Sequence, residues 1–458
     1  MNIGLYNKLL THMESLEYDD DIKTFHYTLL EGIKLVPKDS KVRVALINIP
    51  CGGFGDIVNC KTFSDYLNKW YPNMNVTICT AAVNKFKSLG IKTKDLLELK
   101  AREIYDEDEG AECQGFDNLK FKGKSPKFDI IVVVPMVNEE FSVKKLQKLI
   151  PYATPYNSFS VSEYNGEHPP YTFPIGVGEG QLGLMLTAMK IKKHNMIKGP
   201  YALAYTAGHD RGQGGVTHTN HCILSFIEMI CKKYKHHKKL QLIIPPWFCS
   251  DNEKEISLLT SGQLKTKCSN IIKKYFGRSH LVLKGEVYSE NQNIVTLVDS
   301  IKNDHEFILR GDILPKPRED FISLIKYSLP DVLLTGDQSV TDGIAYSNMN
   351  KRIWYQISPW KKDLAHELSE VIPNKYLDNF RTSCGTLKGI PIDLNNRNLI
   401  KQNDFRKKGR IRMDAILKFN SMVNDPLIEI LRDCVDHSRY KDTALKKFRK
   451  QVELKYKL

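Results

Sequence analysis

The sequence predicts an α/β protein made of two parallel-sheet domains in tandem, and three observations predict it. Short continuous apolar runs alternate with segments of helical period along most of the chain, the pattern of strands covered on both faces. Two such series each open on a strand, a glycine-rich turn and a helix, one near residue 42 and one near residue 201. Between them, Pro151 to Pro174 turns to Pro, Tyr, Ser, Asn and Gly with few long aliphatics, and reads as a loop or a domain linker.

Taken in order, residues 1–40 form a helical N-terminal extension. Phe25, Leu29, Leu30, Ile33 and Val36 recur at helical spacing before Pro37-Lys38-Asp39-Ser40 stops them. The first α/β domain, residues 41–195, has strands at Val42–Asn48, Val76–Thr80 and Phe128–Val134 and a helix from Ile57 to Trp70. The second, residues 196–400, has strands at Tyr201–Tyr205, Leu240–Ile244, His280–Leu283, His305–Leu309, Asp331–Thr335 and Arg352–Ile357. Its helices are expected at Ile223–Lys235, Ile294–Ile301, Arg318–Tyr327 and Ser339–Asn348. Residues 401–458 form a basic helical tail.

Composition narrows the function classes. A chain of 458 residues exceeds one ordinary domain. The formal net charge of +14 is uneven, with 16 Lys and Arg against 8 Asp and Glu from Lys401 to Leu458. A basic tail with helical periodicity is a solvated or docking face more often than a sequence reader, which argues against nucleic acid as the partner. The ten cysteines form no C-x-x-C pair and several lie in apolar runs, as expected of reduced core thiols, not disulfides or zinc ligands. No apolar run approaches the roughly 18 residues of a membrane span. The amino terminus lacks the basic and apolar regions of a secretory signal, so a cytoplasmic location is expected.

Three turns carry the candidate chemistry. In the first domain, Gly52-Gly53-Phe54-Gly55-Asp56 follows a strand and opens a helix. Its glycines let a ligand approach the backbone, while Asp56 is either a helix-dipole partner or a general base for a hydroxyl nucleophile. The full G-x-G-x-x-G fingerprint of a nicotinamide or flavin site is absent. In the second domain, glycines 208, 212, 214 and 215 surround Arg211, so that Arg211, Gly214 and Gly215 suit a diphosphate cradle, or else form a flexible surface loop. The third turn, Gly336-Asp337-Gln338-Ser339, lies between strand and helix, where the first helical N–H groups face an anion at the carboxyl edge of a parallel sheet. Ser339 and Asp342 also have the S-x-x-D spacing of a capping box, which needs no ligand. Arg310, at another strand end, is a candidate for the same anion or for a salt bridge to Asp312 or Asp337. His209, His218 and His221 lack acidic or cysteine partners at ligand spacing, and no metal site is expected.

Together, the strand, GxGD turn and helix of the first half and the strand, Gly336-Asp337-Gln338-Ser339 turn and helix of the second resemble the GT-B glycosyltransferase architecture. The likeness spans roughly Val42 to Ile357, and is nearest to inverting heptosyltransferases and protein-arginine rhamnosyltransferases. It implies two Rossmann-like domains facing a cleft, an N-terminal acceptor domain and a C-terminal donor domain. By that resemblance Asp56 is the catalytic base. The late acidic-x-Ser turn of those families, which contacts the sugar nucleotide, maps onto Asp337, Gln338 and Ser339. From the turns read above, Gly53, Gly55, Arg211, Gly214, Gly215, Arg310, Gly336, Thr341 and Asp342 are the further candidates for contact with a nucleotide-sugar donor, a co-substrate beside which no cofactor is expected. The E-x7-E motif of many retaining enzymes is missing, since Asp342 has no second carboxylate eight positions away, and no D-x-D stands at a strand end in the first half. The first absence points to inversion or to no transfer at all, and the second to a metal-independent mechanism; the residues do not identify the acceptor. Two alternatives stay open: a nucleotide-sugar epimerase or hydrolase of the same fold, and a non-catalytic α/β protein whose basic tail binds nucleic acid or a protein partner.

Overall fold

A computed structural model describes residues 42–50, 55–102, 115, 118–136, 141–153, 157–163, 172–177, 181–186, 191, 195–206, 215–250, 256–284, 293–300, 303–355, 378–422 and 450. The expected extension over residues 1–40 lies outside them. The described residues fall into two compact units. Unit 1 draws on the stretches up to 175, 180–185 and from Phe405 onward; unit 2 draws on 176–179 and 186–404.

Unit 1 holds β1 (Arg43–Asn48), α1 (Gly55–Trp70), β2 (Asn75–Thr80), α2 (Val83–Ser88), β3 (Leu96–Ala101), β4 (Leu119–Phe121), β5 (Ile130–Met136), α3 (Val143–Leu149), β6 (Ser158–Glu163) and β7 (Thr172–Ile175). Its seven-stranded sheet runs β4-β3-β2-β1-β5-β6-β7. Every pair is parallel except β3 with β4. The central strand β1 is buried from Val44 to Ile47, as expected of a strand covered on both faces. Two strands therefore stand where composition predicts a loop or linker. In β6, Ser158, Ser160 and Ser162 alternate with Phe159 and Val161, and all five are buried. Small serines pack on one face and large apolar groups on the other, so the strand lacks the aliphatic density by which buried strands are recognised.

Unit 2 holds β8 (Tyr201–Ala204), α4 (Gly215–Tyr234), β9 (Lys239–Ile243), α5 (Gly262–Lys273), β10 (Arg278–Leu283), β11 (Asn293–Asp299), β12 (Glu306–Arg310), α6 (Arg318–Tyr327), β13 (Asp331–Leu334), α7 (Asp337–Tyr346), β14 (Arg352–Tyr355), β15 (Asp378–Arg381), β16 (Thr386–Pro391) and α8 (Leu394–Gln402). The nine-stranded sheet runs β11-β10-β12-β9-β8-β13-β14-β16-β15. The six strands from β10 to β14 in that order are parallel, and the edges are antiparallel. The helix expected over 294–301 is instead the edge strand β11. Ile294, Val295, Thr296 and Val298 are β-branched and favour extended backbone. As an edge strand it buries little, with Val298 covered and Ile294 60% exposed, so its apolar residues satisfy a helical period by coincidence.

The amino edge of this sheet is closed by charge. Asp331, wholly buried, takes Lys233 Nζ at 2.7 Å, the Tyr234 hydroxyl at 2.6 Å and the Trp354 indole N–H at 2.8 Å. At the same edge Lys351 Nζ donates to Ser328 Oγ and Leu329 O, and burial lowers its pKa to about 7.

The chain returns to unit 1 in α9 (Phe405–Met422). Phe405 packs edge-on against Phe63 and parallel to Tyr66 and Trp70 of α1. The Tyr71 hydroxyl donates to Asp414, and Met413 and Leu417 are buried alongside. Gly409 is required here, because a Cβ would stand 2.5 Å from the Phe405 ring. The described start of the basic tail is therefore a packed helix that leaves Arg406, Lys407 and Arg410 exposed on its outer side.

Candidate functional site

In both units the chain enters the sheet at its centre and then builds outward in both directions. Unit 1 places β2 on one side of β1 and β5 on the other; unit 2 places β9 on one side of β8 and β13 on the other. The carboxyl ends of β1 and β5, and of β8 and β13, are thus the topological switch points, where open parallel sheets form a crevice for ligands. Each of the glycine turns singled out above begins at one of these four strand ends.

The unit 1 switch point is laced by one side chain. Asn48, at the end of β1 and wholly buried, donates through Nδ2 to Val134 O at 2.9 Å and to Asp56 O at 3.2 Å. Its Oδ1 accepts from Thr80 Oγ1 at 3.3 Å, and Thr80 Oγ1 accepts from Ala82 N at 3.0 Å. The ends of β1, β2 and β5 are tied to the first turn of α1. Gly55 and Asp56 occupy that first turn, with Asp56 partly exposed and near the positive end of the helix dipole. Gly53 lies outside the described residues.

The unit 2 switch point is built differently. Ala204 pairs with Leu333 across β8 and β13, and Tyr205 N–H donates to Leu333 O at 2.8 Å. Just beyond, Gly336 caps α7 with φ +75°, a left-handed conformation that favours glycine, and no side chain caps the helix. The capping box that the spacing of Ser339 and Asp342 left open as the alternative reading does not form. Helix α7 starts at Asp337, so Ser339 sits partly exposed inside its first turn. Val340 N–H bonds Gly336 O at 3.1 Å, which leaves the N–H groups of residues 337 to 339 facing the carboxyl edge, as at every helix start.

Asp342 turns inward instead. It is 2% exposed and takes Arg318, the first residue of α6, in a two-pronged ion pair: Nε to Oδ2 at 2.9 Å and Nη2 to Oδ1 at 2.7 Å. Gln338 Nε2 adds a bond to Oδ1 at 3.1 Å. Burial raises the Asp342 pKa above the ordinary carboxylate value, and the Arg318 charge and hydrogen bonds oppose it. Thr341 is buried beside it. Gly343 lets α7 lie close on the sheet, since a Cβ would come within 2.8 Å of Leu334 and Ile353.

Of the remaining candidates, Arg310 stands elsewhere. Three strand spacings separate β12 from β13, about 14 Å at the usual inter-strand distance. Its guanidinium is already engaged, with Asp312 at 2.7 and 2.6 Å and with Gln241 Oε1 at 2.8 Å. Gly215 begins α4; Arg211 and Gly214 lie outside the described residues. The side chain of Asp337 is likewise undescribed. No group of three His, Cys, Asp or Glu side chains suited to a metal occurs among the described residues, and no described helix is long and apolar enough to cross a membrane. Cys60, Cys79, Cys222, Cys231, Cys249, Cys268 and Cys384 are free thiols.

Sequence reasoning missed three groups at this edge. Thr206, one residue past Tyr205 and 3% exposed, has a hydroxyl with no partner among the described residues. Tyr205 is 37% exposed and meets Phe321 at 4.8 Å between ring centroids. Arg318 is the third. The one available signal was the Tyr-Thr pair ending an otherwise apolar strand. No protein-family model matches the sequence, and comparison with curated proteins gives no match.

Proposed function

We propose that the chain is an inverting, metal-independent glycosyltransferase in which unit 2 holds a nucleotide-sugar donor and Asp56 of unit 1 is the general base. The observation that carries this reading is the contrast at the two switch points. Unit 2 offers a helix start with a left-handed glycine and no side-chain cap, and a buried hydroxyl with no partner among the described residues, at the edge where α/β sheets bind anions. In the reaction the acceptor oxygen attacks the anomeric carbon, its proton passes to Asp56, and the bond from that carbon to the diphosphate oxygen breaks. The N-terminal dipole and N–H groups of α7 stabilise the charge that develops on the departing diphosphate. Gly336, Gln338 and Ser339 are the donor contacts of this reading. Thr341 and Asp342 act behind them, through packing and through Arg318.

The test is release of free nucleoside diphosphate from a panel of sugar nucleotides, with and without cell extract as the source of acceptor. Acceptor-dependent release from one donor is the expected result. Release that ignores the acceptor indicates a hydrolase, and no release from any donor rejects the reading.

A further inference from the structure

Arg318 has the geometry of a prepared anion-binding group. Asp342 holds its Nε and Nη2, Gln338 braces Asp342 from the first turn of α7, and Nη1 meets no partner among the described residues. A guanidinium fixed on one edge by a buried carboxylate retains donors on the other and loses little freedom when it binds. The same face carries Tyr205. Tyr201, four positions earlier and on the same side of the chain, reaches α6 through its hydroxyl to Leu324 O, and Tyr205 rests on Phe321 of α6. Leu334, which lies under Gly343 of α7, shares this face of the sheet. One strand spacing sideways and two residues along, Tyr205 lies roughly 8 Å from the start of α7, comparable with the span from base to β-phosphate in a nucleotide.

From this arrangement we infer that Arg318 is the cation that receives the diphosphate, that Asp342 is its positioning residue and not a ligand contact, and that Tyr205 is the platform on which an aromatic base stacks. The inference rests on the reading of unit 2 as the nucleotide-binding half and adds the residues that recognise the nucleoside diphosphate at its two ends. A phosphorylated sugar without a base would use Arg318 and ignore the free ring face of Tyr205.

The experiment is calorimetric titration of the full chain with UDP, ADP, GDP and inorganic pyrophosphate. Tyr205→Leu should weaken the best nucleotide about 10-fold or more, the scale of base stacking on an aromatic ring, and leave pyrophosphate unchanged. Arg318→Gln alone strands a buried carboxylate and risks unfolding, so the double variant Arg318→Gln/Asp342→Asn is used. It should weaken nucleotide and pyrophosphate alike, by about 10–100-fold, as expected for losing a hydrogen bond to a charged group. Unchanged nucleotide binding in a folded double variant, or equal losses of nucleotide and pyrophosphate in Tyr205→Leu, overturns the assignment. If the wild type binds none of the four, the inference falls together with the reading it rests on. If it binds a nucleotide as described but transfers no sugar, the inference stands and the transferase reading falls.

Discussion

Among the described residues, unit 1 and unit 2 present the same topological feature in different states. Where β1 and β5 part, the buried Asn48 spends its side chain on the protein itself, joining three strand ends to the first turn of α1. Where β8 and β13 part, the described residues leave polar groups unspent: a helix start with no side-chain cap, a threonine hydroxyl without a partner among them, and an arginine bonded among them along one edge only. A buried polar group left unpaired costs about 1–3 kcal/mol. A fold tolerates that cost most readily where a ligand removes it. Under the proposed function, the contrast separates a support that presents one carboxylate from a crevice that accepts an anion, and on that proposal base and donor belong to different units.

The largest effect expected from this division is on turnover. Asp56→Asn keeps shape and hydrogen bonding but cannot take a proton at neutral pH. Transfer should fall about 10²–10⁴-fold, with donor affinity and melting temperature nearly unchanged. Wild-type turnover in this variant removes Asp56 from the chemistry; loss of folding makes it a structural partner of the helix dipole. Next comes Phe405→Ala, which empties the aromatic cluster of α1 and α9. A loss of about 3–5 kcal/mol in denaturant unfolding is expected, and nucleotide affinity in unit 2 should persist under native conditions. A loss below about 1 kcal/mol contradicts the docking of α9 in unit 1.

Two smaller changes sharpen the comparison. Asn48→Ala leaves Val134 O, Asp56 O and Thr80 Oγ1 without the partner they share. It should cost about 2–3 kcal/mol of stability, whereas a truly open crevice would tolerate the change. Ser339→Ala should do the reverse. Since Gly336, not Ser339, is the N-cap, stability should move by less than about 0.5 kcal/mol. Nucleotide binding should weaken by about 1–2 kcal/mol, the loss of one hydrogen bond to a charged group. A fall in stability without a fall in affinity would return Ser339 to a capping role.

Much of this was legible in the sequence, for identifiable reasons. The strand Asp331–Leu334 and the helix after Gly336 are marked by a short apolar run, a glycine and a helical period, and helix Arg318–Tyr327 has the bounds its periodicity predicts. β6 was hidden because three of its five buried positions are serines, and β11 because an edge strand with apolar residues on both faces satisfies either period. The site was readable only in part. That Gly336 opens toward the carboxyl edge follows from strand-to-helix order alone. Arg318 meets Asp342 across 24 residues and Tyr205 meets Phe321 across 116, pairings set by which strand lies next to β8. Of the two readings open for Arg310, the structure has the salt bridge to Asp312; its strand end is three places from β13, which no local pattern reveals.

The central claim, that the unit 2 switch point takes a nucleoside diphosphate and the unit 1 switch point does not, is tested most directly by hydrogen–deuterium exchange with and without saturating nucleotide. Slowed exchange is expected in peptides covering 335–342 and 204–206, with residues 55–60 at the start of α1 unchanged. Protection at 55–60 with none at 335–342 would contradict it.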